Sequence, residues 1–253
     1  MTDRTEFSAA TALVTGAASG IGAACARWLA AAGVGHLVLI DPDMAGLQSL
    51  DLSCKTDLIE GSVADEALWQ RLDASHPSID FAVVNAGVGG AGVIAEHSLE
   101  EWRRVMAVNL DGAFLTLSYA MRAMKRGSGG SVVVVSSVTG SKPVAGIGAY
   151  GVAKAGVAHM ARIASLEGAP DAIRVNAVAP GGVDTAIWNG SPQFQASVEE
   201  NGRDATLKAM AVGTPRGRFA TPDELAAQIG FLLSDAAANI TGEVMVTDGG
   251  YSL

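Results

Sequence analysis

Tyr150 and Lys154 lie four residues apart, and Ser137 precedes Tyr150 by thirteen. A phenol is a poor acid or base at neutral pH because its ordinary pKa is near 10. A spacing of four puts both side chains on one face of a helix. The ammonium there favours the phenolate and is expected to lower the tyrosine's pKa. A serine hydroxyl brought alongside can hold a carbonyl or alcohol oxygen. Together these groups can move a proton on and off oxygen while a cofactor moves a hydride.

Near the N-terminus runs TGAASGIG, with Gly16, Gly20 and Gly22 spaced as GxxxGxG. The commoner dinucleotide spacing is GxGxxG, but the physics is shared. Small residues admit a pyrophosphate to the backbone, and a helix N-terminus offers unpaired N–H groups. Ser19 can add a hydroxyl, and Ile21 completes the turn. A turn needed only for packing is the bland alternative. Asp41, at the tip of the expected second strand, can accept both hydroxyls of an adenosine ribose and would repel a 2'-phosphate. No arginine or lysine lies within the turn, and Pro42 follows Asp41. NAD is therefore expected over NADP; a helix-capping aspartate is the bland alternative. Asn85, Ala86 and Gly87 end the fourth strand, where small residues let a ligand lie across the strand ends.

Positioning these groups requires an α/β frame. Apolar segments 12–15, 36–40, 55–59, 79–84, 131–135, 174–178 and 243–246 read as strands. Segments 21–32, 44–50, 65–75, 99–124, 150–167 and 222–233 read as helices, the fourth in two parts around Asn109. Such alternation implies a doubly wound, Rossmann-type parallel sheet in three α/β/α layers. Residues 1–253 are expected to form a single domain, with a small substrate lid at about 186–212. No linker, repeat or low-complexity tail interrupts it.

Composition narrows the function classes. A formal net charge of -9 argues against broad nucleic-acid binding. Cys25 and Cys54 are the only cysteines, and neither has metal-ligand spacing. His36, His76, His97 and His159 are scattered and read as surface, cap or packing residues, so no metal is expected. The opening MTDRTEFSAA lacks a signal-peptide profile, and no apolar run reaches spanning length. A soluble cytoplasmic protein without a membrane partner is the expectation.

The ordered set TGAASGIG, Asn85-Ala86-Gly87, Asn109, Ser137, Tyr150-Gly-Val-Ala-Lys154 and Pro180-Gly-Gly-Val-Asp-Thr185 resembles the short-chain dehydrogenase/reductase family. The likeness is to its single-domain NAD(P)-dependent oxidoreductases and covers nearly the whole chain. It implies that Tyr150 is the general acid/base and that Ser137 polarises the substrate oxygen. Lys154 would lower the tyrosine's pKa and hold the nicotinamide ribose, and Asn109 would hold a water in a proton relay. It also implies that Gly16 to Gly22 cradle the pyrophosphate and that Asn85, Ala86 and Gly87 flank the adenosine. Pro180, Gly181, Val183 and Thr185 would line the nicotinamide. Ser62-Val63 stands where many relatives carry aspartate-valine against adenine. The implied reaction interconverts a secondary alcohol and a ketone, with hydride transfer to or from nicotinamide C4. A homotetramer is implied, built on the helices after Asn109 and Tyr150 and on the C-terminal strand and tail.

Val144, Ile147, Trp188 and Phe194, with Ser137 and Tyr150, are the substrate-binding candidates. They favour a small-molecule alcohol or ketone with an apolar or cyclic body. Trp188 and Phe194 can equally pack the lid. Segment 189–201, rich in Gly, Ser, Gln and Asn, reads as mobile. A 3-oxoacyl thioester reductase and a nonenzymatic NAD-binding regulator are the alternatives. The first usually wants basic residues at the mouth, and the second sits poorly with an intact Ser137, Tyr150 and Lys154.

Overall fold

The computed structural model describes residues 7–253. The first six residues of the N-terminal stretch considered above lie outside the described residues. Seven strands, β1 (Thr11–Thr15), β2 (His36–Asp41), β3 (Lys55–Glu60), β4 (Phe81–Val84), β5 (Gly130–Val135), β6 (Ile173–Pro180) and β7 (Val244–Thr247), form one sheet. Its order is β3-β2-β1-β4-β5-β6-β7, and every pairing is parallel. Leu37 to Ile40 and Val132 to Val135 are buried on both sheet faces. This explains why the central strands read as unbroken apolar runs rather than alternating ones.

One face carries α3 (Glu66–Ser75), α4 (Leu99–Met106), α5 (Gly112–Arg126) and α6 (Gly148–Gly168). Their core includes Leu68, Trp69, Leu117, Ala120, Val157 and Ala161. The other carries α1 (Gly20–Ala31), α2 (Met44–Gln48) and α9 (Pro222–Leu233), closing on Leu29, Leu47, Ile229 and Leu232. Strand order reverses between β1 and β4, so the crevice where doubly wound sheets bind ligands opens at their carboxyl ends. The expected elements are present, with edges moved by a few residues.

The long helix breaks where expected, into α4 and α5 around a single π-helical turn, Ala107–Asp111. Segment 189–201, expected to be mobile, is largely helical. It lies largely in α7 (Pro192–Asn201), which α8 (Arg203–Met210) follows. The start of α7 has local causes. Ser191 accepts from the Phe194 N–H and Pro192 holds the first helical position. The polar composition masked this because few apolar residues mark the helix. Among the described residues, no helix is long and apolar enough to cross a membrane.

Candidate active site

β5 delivers the serine pair to the carboxyl edge of the sheet. Ser136 Oγ donates to the Lys154 carbonyl at 2.7 Å, clamping β5 to α6. Ser137 caps a one-turn 3-10 helix, Val138–Gly140, with an extended backbone. Its Oγ accepts from Thr139 N–H at 3.2 Å and from Thr139 Oγ1 at 2.9 Å. With both acceptor positions used, its own hydrogen is available to donate. Thr139 opens the loop expected to wall the pocket, but its contact with Ser137 was not foreseen, because a threonine two residues on carries no periodic signal.

Gly140 sets this turn against α6. A Cβ there would stand 2.8 Å from the Lys154 carbonyl carbon and the Ala155 nitrogen, so backbones meet directly. This contact brings the Ser137 hydroxyl to Tyr150, in the first turn of α6. Burial raises the Tyr150 pKa above the ordinary phenol value, and the Ser137 hydrogen bond partly offsets the rise.

The Lys154 ammonium stands 5.6 Å from the Tyr150 ring centre and donates to the Val135 carbonyl at 2.9 Å. It is 4% exposed, and burial pushes its own pKa down to about 8. It is thus still largely protonated at neutral pH, but its charge is held on the strand as much as on the phenol.

Asn109 is 1% exposed within the π turn. Its Nδ2 donates to the Val88 and Val105 carbonyls at 2.9 and 3.0 Å, and its Oδ1 accepts from Val88 N–H at 3.3 Å. Gly87 lies between Asn109 and Lys154. A Cβ on it would stand 2.7 Å from Asn109 Oδ1 and 3.4 Å from Lys154 Nζ. All four catalytic candidates therefore converge on one patch at the carboxyl edge.

The glycine turn adjoins that patch. Gly16 and Gly20 have φ of +66° and +53°. Asn85 donates from Nδ2 to the Thr15 and Gly16 carbonyls at 2.9 and 3.2 Å, so its role here is to brace the turn. Asp41 accepts from Ala18 N–H at 3.1 Å and from Asp43 N–H at 2.9 Å. The capping alternative does not hold for it, because Asp43 is the residue that caps α2. Ser19 makes no capping bond to α1. A Cβ at Gly20 would come 3.1 Å from Thr185 Cγ2, so the 180–185 loop closes over the turn. Ser62 is exposed at the end of β3, and its Oγ accepts from Ala64 N–H at 3.3 Å. Val63 is buried in the core, its carbonyl taken by Trp69 Nε1 at 2.8 Å.

On the expected substrate side, the two aromatic candidates make contacts within the chain. Phe194 is 5% exposed. Trp188 stacks on Phe219 with centroids 5.5 Å apart and donates from Nε1 to the Val183 carbonyl at 2.7 Å. Both aromatics thus pack against other residues of the 183–219 region. Arg203 bonds Asp184 and the Thr185 carbonyl and sits 5.3 Å over the Phe194 ring. Lys142 donates to the Tyr251 carbonyl and covers that ring. Exposed apolar side chains are instead Val93, Ile94, Val144 and Ile187. Ile94 lies against Gly148, two residues before Tyr150, and Ile187 against Gly89. Gly92 bridges to Ile147, joining the two walls.

A cavity of about 690 Å³ lined by Ala10, Asp80, Phe81, Gly130 and Arg174 lies at the amino ends of the strands, away from these groups. The strand-end rule and the catalytic side chains both favour the opposite edge.

Residues 16–252 match the family model described as enoyl-(acyl carrier protein) reductase. The chain is 38% identical over 257 residues to cis-4-hydroxycyclohexanecarboxylate dehydrogenase of Sinomonas cyclohexanicum, covering 97% of this chain and 98% of that one. It is 36% identical over 255 residues to 2,5-dichloro-2,5-cyclohexadiene-1,4-diol dehydrogenase of Sphingobium indicum, covering 98% of each. The crystal structure of levodione reductase matches with a TM-score of 0.87 and 31% identity, covering 97% of this chain and 98% of that one.

Proposed function

From the premise that this chain belongs to the short-chain dehydrogenase/reductase family, we propose that it is an NAD-dependent oxidoreductase interconverting a cyclic, largely apolar secondary alcohol and its ketone. The observation that carries this reading is the convergence of Ser137, Tyr150, Lys154 and Asn109 beside the glycine turn. The ring-bearing substrates in the names of the relatives fit the apolar walls at Ile94, Val144, Ile147 and Ile187.

The residues present fit a dinucleotide. The cradle at Gly16, Ser19, Gly20, Ile21 and Gly22 has no room for an added Cβ at Gly22, which would meet the Gly16 carbonyl oxygen at 2.0 Å. Asp41 keeps carboxylate lone pairs for a ribose. Asn85, Ala86, Gly87, Ser62 and Val63 would flank the adenosine, and Pro180, Gly181, Val183 and Thr185 the nicotinamide. When bound, the nicotinamide supplies the hydride acceptor or donor.

The chain's own residues manage the proton. In reduction Tyr150 gives its proton to the carbonyl oxygen, and in oxidation its phenolate takes one from the alcohol. Ser137, its acceptor positions filled by Thr139, donates to the same oxygen as charge grows there. Lys154 supplies a nearby cation, and Asn109 holds the Val88 backbone and the π turn in place beside it.

The pKa of Tyr150 gives this a pH signature. A proton acceptor whose pKa is raised is deprotonated only as pH climbs, so kcat/KM for oxidation should rise through the alkaline range. Ser137→Ala removes the one interaction that lowers that pKa. Its alkaline limb should move to higher pH, and its rate at any given pH should fall. A limb unchanged in position would contradict the Ser137–Tyr150 coupling.

The test is a panel of cyclic secondary alcohols and ketones with NAD or NADP, reading reduced nicotinamide by absorbance. Turnover should favour NAD, and Asp41→Ser should erode the preference by relieving repulsion of a 2'-phosphate. Equal use of both cofactors by the native protein would sink the Asp41 assignment. Arg104 is held by Glu101 and Arg203 by Asp184, which speaks against a mouth built for thioester phosphates.

A homotetramer is part of the same proposal. Phe114 on α5, with Val152, Ile163 and Leu166 on α6, leaves an apolar helix face exposed, and Val246 and Leu253 are exposed at the C-terminal edge. Light scattering on the eluted protein reads the assembly, and a monomer would contradict it. The expected compartment is the cytoplasm, in keeping with free Cys25 and Cys54.

A further inference from the structure

His36, Asp57 and His76, far apart in the chain, meet at the opposite half of the sheet from Tyr150. His36 opens β2, Asp57 lies on β3 opposite Val38, and His76 ends α3. Period two along parallel strands puts His36 and Asp57 on the face that α3 covers. Both imidazoles aim Nε2 at one atom, Asp57 Oδ2, at 3.0 and 2.8 Å. The three ligand atoms all lie within 4.8 Å of one another. The histidine side chains are 16% and 14% exposed, while Asp57 is 40% exposed. Two shielded nitrogens thus meet a carboxylate that still touches water.

We infer that these three side chains form a Zn²⁺ site, with water as the fourth ligand, that staples edge strand β3 to β2 and α3. Two imidazoles and a carboxylate suit zinc's borderline-soft, four-coordinate chemistry. In a tetrahedral site with ordinary zinc bond lengths the ligand atoms stand roughly 3.3 Å apart. The two nitrogen–oxygen separations, 3.0 and 2.8 Å, need to open only slightly, and the two nitrogens lie within 4.8 Å of each other.

The surroundings of His76 supply an independent argument. Ser75 Oγ donates to the Arg71 carbonyl at 3.0 Å and lies 2.9 Å from His76 Nδ1. With the Ser75 hydrogen directed to Arg71, His76 Nδ1 is the donor of the second contact. In the neutral ring Nε2 then presents a lone pair to a carboxylate oxygen 2.8 Å away. In that tautomer a cation seated between the two atoms would turn this approach into ligation. A metal-bound histidine commonly donates its other ring N–H in this manner. The backbone around it is fixed as well. His76 N–H donates to the Leu72 carbonyl at 2.7 Å, and the His76 carbonyl accepts from Tyr119 Oη at 2.7 Å.

The ion would act on stability. β3 is an edge strand with exposed ends, and a ligand that binds only the folded state raises the folded-to-unfolded ratio by mass action. The site does not depend on the catalytic reading.

The test uses tag-free, full-length protein stripped by chelator and titrated with Zn²⁺ by calorimetry and in urea unfolding. One equivalent should bind. At a hundredfold excess over Kd the folded-to-unfolded ratio should rise about a hundredfold. Co²⁺ should give the strong visible absorption of a tetrahedral site. Asp57→Asn, which keeps shape and a hydrogen-bonding group, and His76→Gln should each lose the bound equivalent while circular dichroism stays native. Absence of stoichiometric binding by the native protein, or binding undiminished in both folded variants, would overturn the site. Should either variant unfold, an octahedral Co²⁺ spectrum or none in the native protein overturns it equally.

Discussion

Tyr150→Phe is expected to lower kcat and kcat/KM by about 10²–10⁴-fold, the range for loss of a positioned general acid/base. The substitution deletes one oxygen. Ser137 is the side-chain hydrogen-bond partner whose effect on the phenol is resolved, and Ser137 keeps its own contacts to Thr139. The ring stays seated in the first turn of α6, so the fold and dinucleotide affinity should be nearly native. Equal falls in kcat and kcat/KM are the mark of a group that acts in the transition state. Steady-state kinetics with a dinucleotide-binding titration on the same preparation decide the matter. A variant retaining more than a tenth of native activity would remove Tyr150 from the proton-transfer role.

The second large effect is expected at the glycine turn. A Cβ at Gly22 would stand 2.0 Å from the Gly16 carbonyl oxygen and 2.7 Å from its carbon. Both atoms are backbone, and the same Cβ would stand 2.8 Å from Asn85 Nδ2, which holds that carbonyl. No rotamer change relieves the clash, so Gly22→Ala must open the turn. Overpacking of this kind costs about 1–3 kcal/mol. If the strain falls mainly on the binding-competent turn, dinucleotide affinity drops by roughly 5–150-fold. Gly33→Ala is the control. Unlike Gly22 it lies at positive φ, +91°, and its Cβ meets nothing within 4 Å and lies at the far end of α1, so its cost is backbone strain remote from the turn. It should lower thermal stability without weakening dinucleotide binding. Native affinity in folded Gly22→Ala would show that the turn is packing alone.

Most of the frame was legible because each element carried a local cause. Leu37 to Ile40 and Val132 to Val135 are apolar throughout because helices cover both their faces. Tyr150 and Lys154 were legible as a pair because one helical turn relates them, and the break at Asn109 was anticipated. What escaped depends on contacts between distant segments. The packing of Trp188 and Phe194 was anticipated as one alternative, but their partner Phe219, distant in the chain, was not. Burial raises the Tyr150 pKa, and spacing alone does not report burial. Thr139 acts through a turn, and Gly140 through a backbone approach to Lys154. His36, Asp57 and His76 come together only when β2, β3 and α3 are assembled.

The most direct test follows the hydrogen itself. A cyclic secondary alcohol that the native protein oxidises would be deuterated at its carbinol carbon and turned over with NAD. Mass spectrometry of the reduced nicotinamide should then find the deuterium on it, with slower turnover where that transfer limits the rate. Reduced cofactor free of deuterium, or ketone formed without reduction of NAD, would contradict the proposed oxidoreductase.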